Sequence, residues 1–244
     1  CALLGWGRSD LRRLLKNAVL PVGATAAILA ALLLLGVRGS AALMALAILL
    51  FSLTTTLVEF IRGARVRART DQLSLASALL SLALHNKRRY GGYIVHLGVL
   101  LLFLGITGSS AFSLDKTATL NKGDVIELAD YRLTYQGLTT IEKPDREIHR
   151  ALFSVSKSGR PLGTIHSDKH LHDNFQPATE VGLRSTLKED LYVILANYDQ
   201  QTEAATVSVL INPLVLWMWI GGLIMVLGGL LALSPQSRRP QRAA

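Results

Sequence analysis

Four apolar runs, each long enough to cross a lipid bilayer, constrain the fold of this chain more than any other feature. They cover residues 18–37, 41–61, 93–112 and 213–233. About 20 apolar residues in a helix span the roughly 30 Å of a bilayer's hydrocarbon core. Half of the 244 residues are hydrophobic, and the mean hydropathy is +0.35. The sequence therefore predicts a membrane protein with four transmembrane helices.

The charged residues predict how these helices are oriented. Basic residues flank the apolar runs in three segments, 1–17, 62–92 and 234–244. Short segments rich in lysine and arginine stay on the cytoplasmic side of a membrane. The segment 113–212 instead carries 11 basic and 14 acidic residues. We therefore predict a cytoplasmic N-terminal segment, a cytoplasmic loop and a cytoplasmic tail, with residues 113–212 on the external side.

Charge and cysteine content exclude several classes of protein. The net charge of +9 does not indicate nucleic-acid binding, because the basic residues are not interleaved with aromatic ones. The sequence has a single cysteine, Cys1, so it holds no internal disulfide, no zinc site built from several thiolates and no C-x-x-C-H motif for covalent heme. It also begins without methionine, and we expect it to be a piece of a longer protein.

The external segment 113–212 has a different pattern. Apolar and polar residues alternate in short runs such as VIELADYRLTYQG, DLYVILANY and TEAATVSVLI, and Gly, Pro, Asn and Asp separate them. This pattern predicts β-strands, and about seven of them form an antiparallel barrel or sandwich. The predicted fold class is therefore α+β, with a β domain between the third and fourth transmembrane helices. Residues 71–86 are moderately amphipathic and predict a helix on the membrane surface.

One ionisable residue, His96, lies inside the third apolar run. At about 100° per residue, Gly91, Gly98 and Gly105 form one stripe, and His96 points to the opposite side of the helix. The side of the helix that carries His96 also carries Gly92, Leu100, Phe103 and Thr107. An imidazole at this depth is a functional hypothesis by default. Three roles stay open on these residues alone: a hydrogen bond to a neighbouring helix, ligation of heme iron or another metal, and proton relay.

Two other groups of residues invite a functional interpretation. The stretch HSDKHLHD at 166–173 places histidines at the spacing of a zinc or copper site, but a solvated segment without a metal is the favoured interpretation. Arg88 and Arg89 precede the third run. They suit heme propionates or lipid phosphates, although a topological role alone explains them.

Three separated blocks of the sequence resemble one known family. RRYGGYIVHLG at 88–98, LKEDLYVILANY at 187–198 and NPLVLWMWIGGLIMVLGG at 212–229 are similar to the C-terminal part of the CcmF/NrfE family, the bacterial cytochrome c heme lyases. The resemblance implies a multi-pass protein of the bacterial inner membrane, with the β domain in the periplasm. It also implies heme b as cofactor, and heme attachment to apocytochrome c as function.

The resemblance further implies specific residues and partners. His96 matches the histidine of the family's G-G-Y-x-V-H-L-G block, which is one axial ligand of heme b. Gly92 and Phe103 would shape the pocket, and Arg88 and Arg89 would lie near it. The implied partners are the heme chaperone CcmE, the CcmH-type proteins that present apocytochrome c, and apocytochrome c itself. Quinol is a further candidate as the electron donor.

Several family features are absent from the sequence. The external W-G-x-x-W-x-W-D segment that binds heme in transit, its flanking histidines and the helix with the second heme b ligand do not occur. We therefore expect no complete lyase site in these residues alone. Two alternatives remain at this stage: a non-enzymatic assembly or adaptor module, and a membrane cytochrome b for electron transfer from quinol.

Overall fold

The computed structural model describes residues 11–172 and 175–235, which form two compact units. The helical unit comprises the helices up to residue 107 and the last helix from residue 217, and residues 108–216 form the β unit. Most of the predicted segment 1–17, nearly all of the predicted tail 234–244, and Asp173 of the histidine-rich stretch lie outside the described residues.

Five helices account for the helical unit. Four of them are long and apolar enough to cross a membrane, as the sequence predicted. The fifth is a short helix that lies within the predicted amphipathic segment 71–86. In chain order, the helices are α1 Leu11–Leu34, α2 Ser40–Asp71, α3 Leu75–His85, α4 Lys87–Ala111 and α5 Val215–Leu233.

Two of these helices extend well beyond the apolar runs. Helix α2 continues for ten residues past position 61, and α4 begins six residues before position 93. Arginine has nearly the helix propensity of leucine, so a change from apolar to basic residues does not end a helix. Helix α2 ends where Gln72 adopts a left-handed conformation and its N–H donates to the carbonyl of Ala68. Much of the segment 62–92 is therefore helical.

Helices α4 and α5 approach each other closely through glycines. A Cβ atom at Gly98 would lie 2.6 Å from the carbonyl oxygen of Gly221. One at Gly91 would lie 2.7 Å from the backbone nitrogen of Ala232, and one at Gly228 would lie 2.7 Å from that of Val95. Small residues permit this packing in membranes, where close backbone contact replaces hydrophobic burial. Gly91 and Gly98 of the predicted glycine stripe thus form the contact of α4 with α5.

The β unit has nine strands in two antiparallel sheets. Sequence alternation predicted about seven. The strands are β1 Leu114–Leu120, β2 Val125–Leu128, β3 Tyr131–Lys143, β4 Arg146–Lys157, β5 Arg160–His172, β6 Phe175–Glu180, β7 Gly182–Ser185, β8 Glu189–Tyr198 and β9 Ala205–Pro213. One sheet has the order β1-β9-β8-β7 and the other β2-β3-β4-β5-β6. Leu114 pairs with Ile211, so the two ends of the unit are adjacent.

The core lies between these two sheets. Alternate residues of the long strands face inward and are fully buried, including Tyr135, Phe153, Leu191, Val193, Leu195, Val207 and Val209. The rings of Tyr135 and Phe153 are 5.2 Å apart. The hydroxyl of Tyr135 donates to the carbonyl of Glu203 at 2.9 Å, and burial raises the pKa of Tyr135 to about 12. The hydroxyl of Tyr135 at the centre of the core is therefore hydrogen-bonded and uncharged.

An ion pair joins the two sheets at one edge of this core. Lys157 of β4 donates to Glu189 of β8 and lies over the ring of Tyr131, 4.5 Å from its centroid. Burial acts to raise the pKa of Glu189, but the hydrogen bond and charge of Lys157 outweigh it, and the net pKa is lowered. A carboxyl group with a depressed pKa stabilises the folded state above its unfolded pKa, which is about 4.3 for glutamate.

This linkage predicts that the difference in free energy of unfolding between the protein and its Glu189→Gln variant depends on pH. At neutral pH, we expect the variant to lose about 1–3 kcal/mol in free energy of unfolding, because the half-buried ammonium group of Lys157 is left without its charged partner. The difference should shrink as the pH falls from about 5 through the folded pKa of Glu189. Urea denaturation followed by circular dichroism of the β-sheets measures it. A difference that stays constant from pH 7 to pH 3 would contradict the linkage.

Candidate functional site

The face of α4 opposite α5 is open in the helical unit. Gly91, Gly98 and Gly105 are buried, whereas Gly92 and His96 are exposed. The side chain of Phe103, two turns beyond His96, is 52% exposed. Of the five residues predicted for one side of α4, Gly92, His96 and Phe103 are exposed, whereas Leu100 and Thr107 are half-buried. We define the exposed surface of Gly92, His96 and Phe103 as the His96 face.

The imidazole of His96 has no hydrogen-bond partner among residues 11–172 and 175–235. An ionisable group at hydrocarbon depth costs a few kcal/mol unless a polar or metal partner satisfies it. By contrast, the polar groups Thr54, Thr55 and Thr56 of α2 donate to helix carbonyls one turn back, at 2.7–2.8 Å. His96 therefore differs from these three threonines, and its partner is expected outside the described residues.

Gly92 adds a second feature to the His96 face. A Cβ atom at Gly92 would meet nothing within 4 Å, whereas one at the adjacent Gly91 would clash with Ala232. Packing within the described chain therefore explains Gly91 but not Gly92. Gly92 lies one helical turn from His96 and exposes bare backbone there. A flat group that approaches the imidazole along α4 would find space at this position.

The two arginines that precede the third apolar run have different surroundings in the structure. Arg89 donates to Glu59 of α2 at 3.1 Å and contacts the hydroxyl of Tyr93 at 3.4 Å. Arg88 is exposed, and it precedes Gly92 by one helical turn and His96 by about two. From the sequence alone, the two arginines were treated as a pair, and the ion pair of Arg89 with Glu59 was not predicted. The sequence feature that indicates such a pair is the position of Glu59, a carboxylate inside an otherwise uncharged apolar run.

An aromatic cluster holds the beginning of α4 against α2. The rings of Phe60, Tyr90 and Tyr93 lie 5.5–5.8 Å apart, mostly in edge-to-face or tilted arrangements. Such pairs contribute about 0.5–1.5 kcal/mol each beyond the area they bury. Together with the Arg89–Glu59 ion pair, the cluster fixes the rotation of α4. This rotation leaves His96 on the side of α4 opposite α5, where its ring is exposed.

The histidine-rich stretch lies at the end of strand β5. Arg150 donates to both carboxylate oxygens of Asp168, at 2.6–3.2 Å, and Nε2 of His170 lies 3.3 Å from Glu180. Metal-ligating atoms of Asp168, His170 and Glu180 lie within 4.8 Å of one another. Because Arg150 already neutralises Asp168, cross-strand ion pairing explains this cluster without a metal. The side chain of His172 lies outside the described part of the chain.

His149 is a buried residue that sequence analysis did not single out. It is fully buried on the core side of β4, and its ring stacks on Tyr198 at 4.3 Å. Its Nδ1 lies 3.2 Å from the hydroxyl of Thr140, and its Nε2 lies 3.2 Å from a carboxylate oxygen of Glu147. These partners satisfy both ring nitrogens. His149 is therefore a structural residue of the sandwich, in contrast to His96.

Comparison with known proteins relates both units to one family. Residues 111–213 match the family described as CcmF C-terminal beta-sandwich. The cytochrome c-type biogenesis protein CcmF of Pseudomonas aeruginosa is 33% identical over 144 residues, which cover 59% of this chain and 22% of that protein. The cytochrome c-type biogenesis protein CycK of Bradyrhizobium diazoefficiens is 28% identical over 243 residues, covering 97% of this chain and 36% of that protein.

A solved structure extends the likeness to nearly the whole chain. The structure titled Cytochrome c Heme Lyase CcmF has a TM-score of 0.73 and a sequence identity of 25%. The match covers 96% of this chain and 37% of that one. The chain thus spans between about a fifth and two-fifths of the relatives that it matches. The likeness includes the transmembrane helices as well as the sandwich.

The architecture defines a class of membrane protein in which a β-sandwich is inserted between two apolar helices. The sequence matches extend across both parts and share one family. The chain is similar to CcmF-type cytochrome c biogenesis proteins over the part that carries the C-terminal β-sandwich.

Adjacent glycines of α4 allow a matched test of the two helix faces. We expect Gly92→Leu to leave the free energy of unfolding unchanged or raised by up to about 1 kcal/mol, because leucine is the better helix former. Gly91→Leu should lower it by about 1–3 kcal/mol or more, since its side chain forces α5 away. Thermal unfolding in detergent measures both. Equal losses for the two variants would contradict the open His96 face.

Proposed function

We propose that this chain forms the C-terminal part of a CcmF-type cytochrome c heme lyase and supplies one axial ligand, His96, to heme b. The observation that carries the proposal is the imidazole on an open face of a transmembrane helix, without a hydrogen-bond partner in the described chain. The relatives add the chemical context, since their names give cytochrome c biogenesis and heme lyase as their function. Imidazole is an established axial ligand of heme iron.

The residues of the His96 face fit a heme group. His96 offers a ring nitrogen, Gly92 leaves space for the edge of a macrocycle, and Phe103 supplies an apolar wall. Arg88 lies eight residues before His96, about 12 Å along the helix at about 1.5 Å per residue, and its guanidinium suits a propionate carboxylate. Heme, when bound, supplies one-electron chemistry at its iron.

Arg89 has a different role in this proposal. Its guanidinium is paired with Glu59, so it contributes by fixing the rotation of α4. We propose it as a positioning residue for His96. It is not proposed as a direct partner of a propionate.

The chain supplies only one side of the proposed heme site. A second axial ligand must come from outside the described residues, because the other histidines of the described chain lie at the end of α3 or in the β unit. The family's transit-heme segment is likewise expected in a different part of the longer protein. Heme attachment is therefore proposed for the assembled protein, and His96 is proposed to act on its resident heme b.

The proposed location is the bacterial inner membrane, with the β-sandwich in the periplasm. The support is the distribution of charge, since basic segments flank the apolar helices and the segment 113–212 carries a net charge of −3. In this orientation, the sandwich is available to CcmE, CcmH-type proteins and apocytochrome c, which we propose as partners of the complete protein. No observation on the described residues supports a quinol site, and none is proposed.

A histidine substitution tests the function. The chain replaces the corresponding part of the Pseudomonas aeruginosa CcmF protein in bacteria that lack their own. We expect His96→Ala to abolish the heme b absorption of the purified chimera and to lower the yield of holocytochrome c at least tenfold. His85→Ala is the matched control, because its ring is exposed and lies 2.8 Å from the carbonyl of Ser81 within α3.

The two readouts separate the alternatives. Loss of heme with an unchanged yield of holocytochrome c would favour a membrane cytochrome b over a lyase. Unchanged heme and unchanged yield would make His96 a packing group and leave an assembly or adaptor role. Gly92→Leu should reproduce the heme loss if a macrocycle approaches this face of α4, while leaving the helical unit folded.

A further inference from the structure

The end of α2 carries arginines that have no acidic partner in the described part of the chain. Arg62, Arg65 and Arg69 are exposed and share one side of the helix at the spacing i, i+3, i+7. The fourth arginine of this segment, Arg67, is paired with Asp71 at 2.6 Å. Three cations are thus concentrated on one side of a single helix end.

The position of these arginines relative to the bilayer follows from α2 itself. Its apolar run ends at residue 61, and the helix continues without interruption to Asp71. At about 1.5 Å per residue, Arg62 to Arg69 cover roughly the first 10 Å beyond the hydrocarbon. Headgroup regions occupy about 5–8 Å on each side of the core. Arg62 and Arg65 therefore lie at the depth of the lipid phosphates, with Arg69 just outside.

Helix α3 presents an apolar surface next to this helix end. With 11 residues it is about 16 Å long, too short to cross a bilayer, and it carries no lysine, arginine, aspartate or glutamate. Leu80 and Leu84, one turn apart, are 63% and 48% exposed. Ala78 is fully buried, as is Ala64 of α2, and the two helices pack together. An uncharged helix of this length with exposed leucines is expected at a membrane interface.

We propose that the end of α2 and helix α3 form a docking surface for anionic phospholipids. Arg62, Arg65 and Arg69 bind the phosphate groups, and the leucines of α3 insert among the acyl chains beside them. Charge complementarity selects this occupant, because a zwitterionic headgroup offers no net attraction to three unpaired guanidinium groups. The surface lies at one end of α2, and the proposed heme ligand on α4 takes no part in it.

The charge component is tested by lipid binding to the 244-residue chain in uncharged detergent. Phosphatidylglycerol or phosphatidylcholine is titrated in mixed micelles, and bound lipid is counted by native mass spectrometry. An arginine near a membrane surface is worth about 1 kcal/mol, or about a fivefold change in affinity. We therefore expect the triple variant Arg62→Gln, Arg65→Gln, Arg69→Gln to bind phosphatidylglycerol about 100-fold more weakly, with phosphatidylcholine binding unchanged.

A charge-matched variant controls for net charge. Arg132→Gln, Lys143→Gln and Arg160→Gln remove the same charge from exposed positions of the β-sandwich. This control should keep its preference for phosphatidylglycerol. Equal affinity of the unmodified protein for the two lipids, or equal losses in the two triple variants, would overturn the proposal.

The apolar component needs a separate measurement. A bimane label on Leu80→Cys, with Cys1 replaced by serine, should be quenched in nanodiscs by spin labels on lipid acyl chains. The measurement is made in the 244-residue chain and in the Pseudomonas aeruginosa chimera. Quenching in both supports a lipid-facing α3. Quenching that is lost in the chimera would show that protein helices cover the leucines, which would overturn the lipid assignment for this face.

Discussion

The close approach of α4 and α5 is the contact on which the arrangement of the helical unit depends. At Gly98 and Gly221 the two backbones leave no room for a side-chain carbon, and the same holds at Gly91 and Gly228. Because these glycines recur every seven residues, α4 can meet α5 only with this one side. His96 lies on the opposite side and is left for a partner beyond the described residues. Helix packing and the proposed chemistry are thus two consequences of one rotational setting of α4.

The sequence predicted this setting because helical periodicity is a local property. Positions of Gly91, Gly98 and His96 around a helix follow from their spacing alone, and the structure confirms that the glycines are buried and the imidazole exposed. The partners of Arg89 were not predictable in the same way. Glu59 lies 30 residues earlier, and only the antiparallel packing of α2 and α4 brings the two together. Helix ends were also missed, because hydropathy marks where a helix leaves the lipid and not where its hydrogen bonds stop.

The β-sandwich shows the same division between local and long-range information. Alternation predicted strands, and the proximity of the two ends of the domain followed from its insertion between two helices. The order of the strands did not follow, because β1 pairs with β9 across almost the whole domain. Whether an individual polar residue of the domain is buried also depends on contacts that are distant in the sequence. His149 lies fully buried between Thr140, Glu147 and Tyr198, although in the sequence it resembles any histidine of an external segment.

The arginines at the end of α2 and the beginning of α4 divide into those with an acidic partner among the described residues and those without one. Glu59 is the only acidic residue within the four apolar runs, and it neutralises Arg89. Arg88 is exposed and has no acidic partner among the described residues. Arg62, Arg65 and Arg69 are likewise exposed and without an acidic partner among the described residues, and they are the arginines proposed above to bind lipid phosphates. Arg89 and Arg67 are therefore occupied by Glu59 and Asp71, and the remaining arginines of these two helices are the ones available to groups outside the described residues.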